Sequence, residues 1–227
     1  MNLIDQYIKK FREIKNKGWI RSYRIGDTGV GYTLEKLLDQ SKEEKKQLRI
    51  KSIRKGSSRR LTLFAKIPVW GAEGRKRLLD EYGYFDKNGR WSLYTSITSK
   101  KQTKMGWQIE VDDNKVFLNN SGRAVIYWQL PTLQEILQKK LNQMVLVYAN
   151  FKKDDQKNEY FKYEEFHLAQ EPDLNNFTNL INNGSICIDL AIHRDKITNS
   201  VIDKGFLFRI SESSVNELFK QVQRIVE

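Results

Sequence analysis

The chain has 227 residues, 39% of them apolar and 30% charged, with a net charge of +12 and a pI of about 9.6. A chain of that length buries roughly 70% of its unfolded surface, so it needs no disulfide or metal staple to fold. One cysteine excludes a disulfide framework and fits a reducing compartment. The excess of cations points to an anionic partner, nucleic acid foremost, although a Lys-, Asn- and Ile-rich composition raises charge by itself.

The first segment carries charges throughout and no long apolar run, so it reads as neither a signal peptide nor a membrane span, and a cytoplasmic location is expected. Leu3, Ile4, Tyr7, Ile8, Phe11 and Ile14 recur at helical spacing and predict an amphipathic helix over residues 2–17, ended by Gly18. The glycines of "RIGDTGVGYTLEKLL" predict a loop, then a helix capped by Thr33 and running to Gln40. The spacing is not G-x-x-x-x-G-K-[ST] and no apolar strand precedes it, which argues against a nucleotide site.

"QLRIKSI" and "RRLTLFAKIP" alternate and predict two strands meeting at Gly56-Ser57-Ser58. A loop from Pro68 to Gly74 and a short helix in "GRKRLLDEYGY" follow, and then "RWSLYTSI", "GWQIEVD", "KVFLNN" and "RAVIYWQL" predict strands with turns at Asp112-Asp113-Asn114 and Asn119–Gly122. Pro131 starts a helix that leads to the strand "QMVLVYAN". The strand "YFKYEEFHL", the helix "LNNFTNLINNG", the strand "SICIDLAIH", the strand "FLFRI" and a last helix from Ser211 to Glu227 complete the pattern. Mixed strands and helices predict an α+β (mixed α/β) class.

A helix glutamate, then carboxylates, then a strand carrying x-K is the layout of magnesium nucleases of the PD-(D/E)XK type. Phosphodiester hydrolysis needs Mg²⁺ held by carboxylates and a Lys beside it, and positions two apart on a strand face the same cleft. Cys187 sits in an apolar run and reads as a core residue. His167 and His193 lie in strand-like runs and support neither a His-based metal site nor a Ser-His-Asp arrangement. Trp19, Trp107 and Trp128 sit in apolar patterns and read as core.

Six stretches in order, "GDTGVGYTLEKLL", "SSRRLTLFAKIP", "IYWQLPTLQEILQKKLNQMVLV", "YFKYEEFHL", "FTNLINNGSICIDLAI" and "DKGFLFRI", resemble the MvaI/BcnI family of type II restriction endonucleases, related to the mismatch-repair nicking enzyme MutH. The resemblance implies a restriction-endonuclease-like PD-(D/E)XK core sheet flanked by helices. It also implies one nuclease domain over 1–227 with a catalytic lobe and a DNA-recognition lobe around a DNA cleft. The family's members are monomeric, Mg²⁺-dependent enzymes that cut short duplex sites. Glu35 matches the helix glutamate, Lys51 the catalytic lysine and Glu44 the family's aspartate, so an active chain uses Glu35, Glu44 and Lys51, with Mg held by Glu35 and Glu44.

The strand carboxylate, however, is replaced by Arg49. A guanidinium about 4 Å from Mg²⁺ repels it by roughly 8 kcal/mol at an effective dielectric of about 20. A millimolar metal site supplies only about 4 kcal/mol. The same cation can hold a DNA phosphate in place of the metal. Arg49, Lys51, Arg54, Lys55, Arg59 and Arg60 then form a metal-free phosphate surface, and Lys66 is a further DNA-binding candidate. The last strand pattern adds Asp203, Lys204 and Arg209, with Arg209 serving either guanine readout or a structural ion pair. Ala65 and Ile202 stand where the family carries polar readers, which implies altered specificity. Three functions follow: double-stranded DNA binding without efficient cleavage and without a cofactor, Mg-dependent site-specific cleavage, or structured-RNA binding. Any companion methyltransferase or nuclease partner is left open.

Overall fold

The computed structural model describes residues 3–26, 28–70 and 74–226. Asn2, the middle of the loop expected before Gly74 and Glu227 lie outside the described residues. The chain begins with α1 (Leu3–Asn16), β1 (Ile20–Arg21), α2 (Gly29–Leu38), α3 (Lys42–Gln47) and β2 (Arg49–Arg54). It continues through β3 (Arg60–Ala65), α4 (Gly74–Tyr82), β4 (Tyr84–Phe85), β5 (Trp91–Ile97), β6 (Trp107–Val111), β7 (Lys115–Asn120) and β8 (Arg123–Gln129). After α5 (Leu130–Leu141) come β9 (Gln143–Lys153), β10 (Glu159–Pro172), α6 (Leu174–Asn182), β11 (Ile186–Arg194) and β12 (Val201–Ser211). A 3₁₀ helix (Glu212–Leu218) and β13 (Phe219–Val226) close the chain. The mixed α+β class expected from the sequence is the class observed.

Two compact units divide the chain: residues 1–59, 137–173 and 215–227 form the first, and 60–136 with 174–214 the second. In the first unit the sheet runs β1-β10-β9-β2, with β13 also paired to β10. β2 lies parallel to β9 at the sheet edge, with Arg49 opposite Met144 and Lys51 opposite Leu146. Helices α1 and α2 cover one face. Tyr7, Phe11, Val30 and Leu34 pack there against Val145, Val147, Ala149, Phe161 and Phe166. Strand alternation therefore turns Arg49 and Lys51 to the opposite face.

In the second unit, β3-β12-β11-β5-β4 form one sheet and β6-β7-β8 a three-stranded meander. Its core is aromatic: Phe64 stacks on Phe208 at 4.8 Å between ring centres, and Trp128 meets Phe208 edge-on at 5.2 Å. Trp107, Trp128 and Cys187 are fully buried, as their apolar settings predict. Trp19 is not core; it is 40% exposed, with the Lys152 ammonium 4.5 Å above its ring.

Three local expectations differ from the structure. The strands β2 and β3 form no hairpin: β2 pairs with β9 and β3 with β12, in different units. Thr33 lies inside α2, buried, where its hydroxyl accepts the Tyr23 amide at 3.0 Å; the helix starts four residues earlier. Gly29 permits that start, since a Cβ there would lie 2.6 Å from the Arg24 carbonyl and 2.7 Å from Ser22 Oγ. The glycine-rich stretch thus serves close packing. The expected last helix is a short 3₁₀ turn followed by β13, which pairs with β10 from Phe166 to Pro172. An open edge on a long neighbouring strand outweighs a helical spacing that buries little.

Candidate nucleic-acid interface

Alternation along β2 places Arg49, Lys51 and Ile53 on one face and Ile50, Ser52 and Arg54 on the other. Arg49 and Lys51 are both partly buried, and Arg49 Nη1 reaches the Lys140 carbonyl at 3.4 Å. Burial lowers the pKa of each below its ordinary value. For Lys51 the neighbouring Arg49 charge lowers it further, while Glu35 opposes the shift. The strand thus presents two like charges, side by side and poorly hydrated.

The expected acidic partners are placed differently. Glu35 on α2 is exposed and lies 3.9 Å from Lys45. Glu44 is the third residue of α3 and completes a capping box: its carboxylate accepts the Ser41 amide at 2.7 Å, and its amide donates to Ser41 Oγ at 3.2 Å. These bonds hold the Glu44 carboxyl below its usual range. The buried Tyr7 hydroxyl faces the same carboxylate, and its pKa is pushed up to about 12 by burial and then by that negative charge.

The remaining predicted contacts are divided between the two units. Arg54 faces the helix layer, its guanidinium 3.9 Å from the centre of the Phe151 ring, so it is a packing residue. Lys55 pairs with Glu165 and lies 3.5 Å from Glu164. Arg59 follows the turn after β2, its amide donating to Ser57 Oγ at 3.0 Å. Arg60 and Lys66 belong to the second unit, in and just after β3. Asp203 has a side chain only 5% exposed, lies 3.9 Å from Arg75 and accepts the Gly205 amide at 2.6 Å, opposite the irregularity in β11 between Leu190 and Ile192. Arg209 is spent on structure: it bonds Asp189 at 2.7 Å and the Arg60 carbonyl at 2.9 Å. Lys204 is exposed.

Sequence reasoning missed the neighbours that Lys51 acquires across the sheet. The register runs Lys51, Leu146, His167, Arg224 over β2, β9, β10 and β13. A bulge between Tyr163 and Glu165 leaves both Glu164 and Glu165 within reach of Lys55. His167 Nε2 lies 3.4 Å from Glu165, its ring 5.1 Å from that of Tyr148, and burial lowers its pKa. The E-x-H spacing of Glu165 and His167 was the available signal, but only the register shows that they share a face with Lys51.

A family model described as the MvaI/BcnI restriction endonuclease family matches residues 8–219. The chain belongs to that family. The solved structure "Restriction endonuclease MvaI-cognate DNA substrate complex" is 23% identical, with a TM-score of 0.79 over 100% of this chain and 99% of that one. "Restriction endonuclease MvaI in the absence of DNA" is 24% identical, with a TM-score of 0.64 over 100% of this chain and 98% of that one. These likenesses show the fold. No curated protein matches the sequence.

The family implies a magnesium ion, and the donor set here does not fit one. Glu44 is committed to its helix cap, and Glu35 lies 3.9 Å from Lys45. Among the described residues no three His, Cys, Asp or Glu side chains are grouped to hold a metal. No described helix is long and apolar enough to cross a membrane.

Proposed function

We infer that the protein binds double-stranded DNA, that Arg49 and Lys51 grip backbone phosphates directly, and that cleavage is impaired because a guanidinium takes the place of a metal ligand. The observation that carries this reading is the pair of partly buried cations on same-face positions of β2. Burial disfavours both charges, and Arg49 further disfavours that of Lys51. A phosphate between them relieves the repulsion and gains charge-assisted hydrogen bonds. Membership in a restriction endonuclease family, and a structural neighbour solved with its DNA substrate, support duplex DNA as the anion. In this reading the first unit is the catalytic-type lobe and the second the recognition lobe, with Lys66 and Lys204 adding phosphate contacts.

The test is incubation with mixed-sequence plasmid and Mg²⁺ or Mn²⁺, beside a Lys51→Ala control. An intact but retarded plasmid, with retardation weakened in the control, is the expected result. Discrete fragments that vanish in the control would establish Mg-dependent cleavage through Glu35, Glu44 and Lys51 instead. Stronger competition by structured RNA than by duplex would make RNA the ligand. Arg49→Glu should lose DNA affinity by about tenfold or more, the worth of one charge-assisted contact. The same variant should gain Mg²⁺ binding in calorimetry, because it restores the missing ligand.

A further inference from the structure

The turn joining β11 to β12 holds one large apolar side chain in the open. Ile197 is 94% exposed. Scattered exposed apolar residues are ordinary, but this one is braced outward by its neighbours. Asp195 Oδ1 accepts the amides of Ile197 at 3.0 Å and Thr198 at 2.8 Å, and the Thr198 hydroxyl at 3.0 Å. Those bonds keep the Asp195 carboxyl charged well below its usual range. The Asp195 amide donates to the Ser200 carbonyl at 2.9 Å, and the Asn199 amide to the Asp195 carbonyl at 3.1 Å. Arg194 ties the base of the turn to Asp80, and Lys196 donates to the Asn88 carbonyl. These bonds brace the backbone of the turn with Ile197 outward.

The surroundings are cationic. Ser92 of β5 pairs with His193 of β11, so the 86–90 turn lies at the same end of the sheet as the 195–200 turn. Lys87, Lys196 and Lys204 are exposed there and meet no carboxylate among the described residues. Phe85, 72% exposed, stands edge-on to Trp91 nearby. An outward apolar side chain on a turn where three exposed lysines outnumber the one carboxylate not paired to an arginine, Asp195, suits a duplex, whose stacked bases are apolar and whose edges are lined with phosphates.

We propose that the 195–200 turn is a wedge: Ile197 enters a base step of bound duplex DNA, and Lys87, Lys196 and Lys204 hold the flanking phosphates. Isoleucine is among the side chains that unstack a step in this way and kink the duplex. Pyrimidine–purine steps, which deform most easily, are the expected targets. Asp195 is a positioning residue for the wedge. The proposal rests on the DNA-binding reading above.

The test uses short duplexes with 2-aminopurine beside a TA step and a dye at each end, mixed with the full chain in chelator at low salt. The wild type should raise 2-aminopurine fluorescence and shorten the end-to-end distance. Ile197→Ser should still bind, with a Kd about tenfold higher, as fits loss of one buried aliphatic contact, and should lose both signals. Ile197→Leu should keep them, and Asp195→Ala should lose them although Ile197 remains. Binding without unstacking by the wild type, or unstacking by Ile197→Ser equal to the wild type, overturns the wedge and leaves DNA binding standing. Absence of binding by any form overturns the DNA-binding reading, and the wedge with it.

Discussion

Two neighbouring cations, Arg49 and Lys51, set the chemistry of the β2 face. Arg49 lies two residues before Lys51 on the same face of β2 and disfavours its charge. Lys51 therefore titrates below the ordinary lysine range, from burial first and Arg49 second. Phosphate binding needs the protonated form. Duplex affinity, followed by anisotropy at constant salt, should fall by about tenfold between about pH 7 and about pH 10, earlier than a surface lysine would allow. Lys51→Arg, which stays charged, should hold its affinity over that range. Folding responds with the opposite sign. The unfolded chain binds the Lys51 proton more tightly, so this group's contribution to stability rises as pH climbs from the lowered pKa to about 10.5.

Helix α1 was legible because Ile4, Tyr7, Phe11 and Ile14 repeat every three or four residues, and all four are buried. Helix α3 was not, since "KEEKKQ" has no apolar periodicity and is buried nowhere. It stands on its cap, Ser41 and Glu44. Ser41→Ala should cost about 1 kcal/mol in urea unfolding, the usual worth of such a cap. The same capping box engages the Glu44 carboxylate at the start of α3. Strand β13 was read as a helix because its alternation is mostly exposed, and only the free edge of β10 gives it a partner.

At the scale of the molecule, the charge of +12 sets how DNA binding should depend on salt. If about five cations replace counterions on the duplex, affinity falls by roughly 10²- to 10³-fold between about 50 and about 200 mM salt. Titrations at several salt concentrations measure that slope, and a flat response would rule out a phosphate grip.

The sequence by itself determined the α+β class, most elements, the buried Trp107, Trp128 and Cys187, and the Arg49–Lys51 pair, because each depends on periodicity, turn chemistry or identity at one position. Tertiary structure alone decided that β2 joins β9 while β3 joins β12, that Arg54 and Arg209 serve packing, and that His167 shares a face with Lys51. Strand partners and register are chosen by contacts far apart in the chain. A pattern of local residues fixes which side chains share a face of one strand, but not which strand lies next to it.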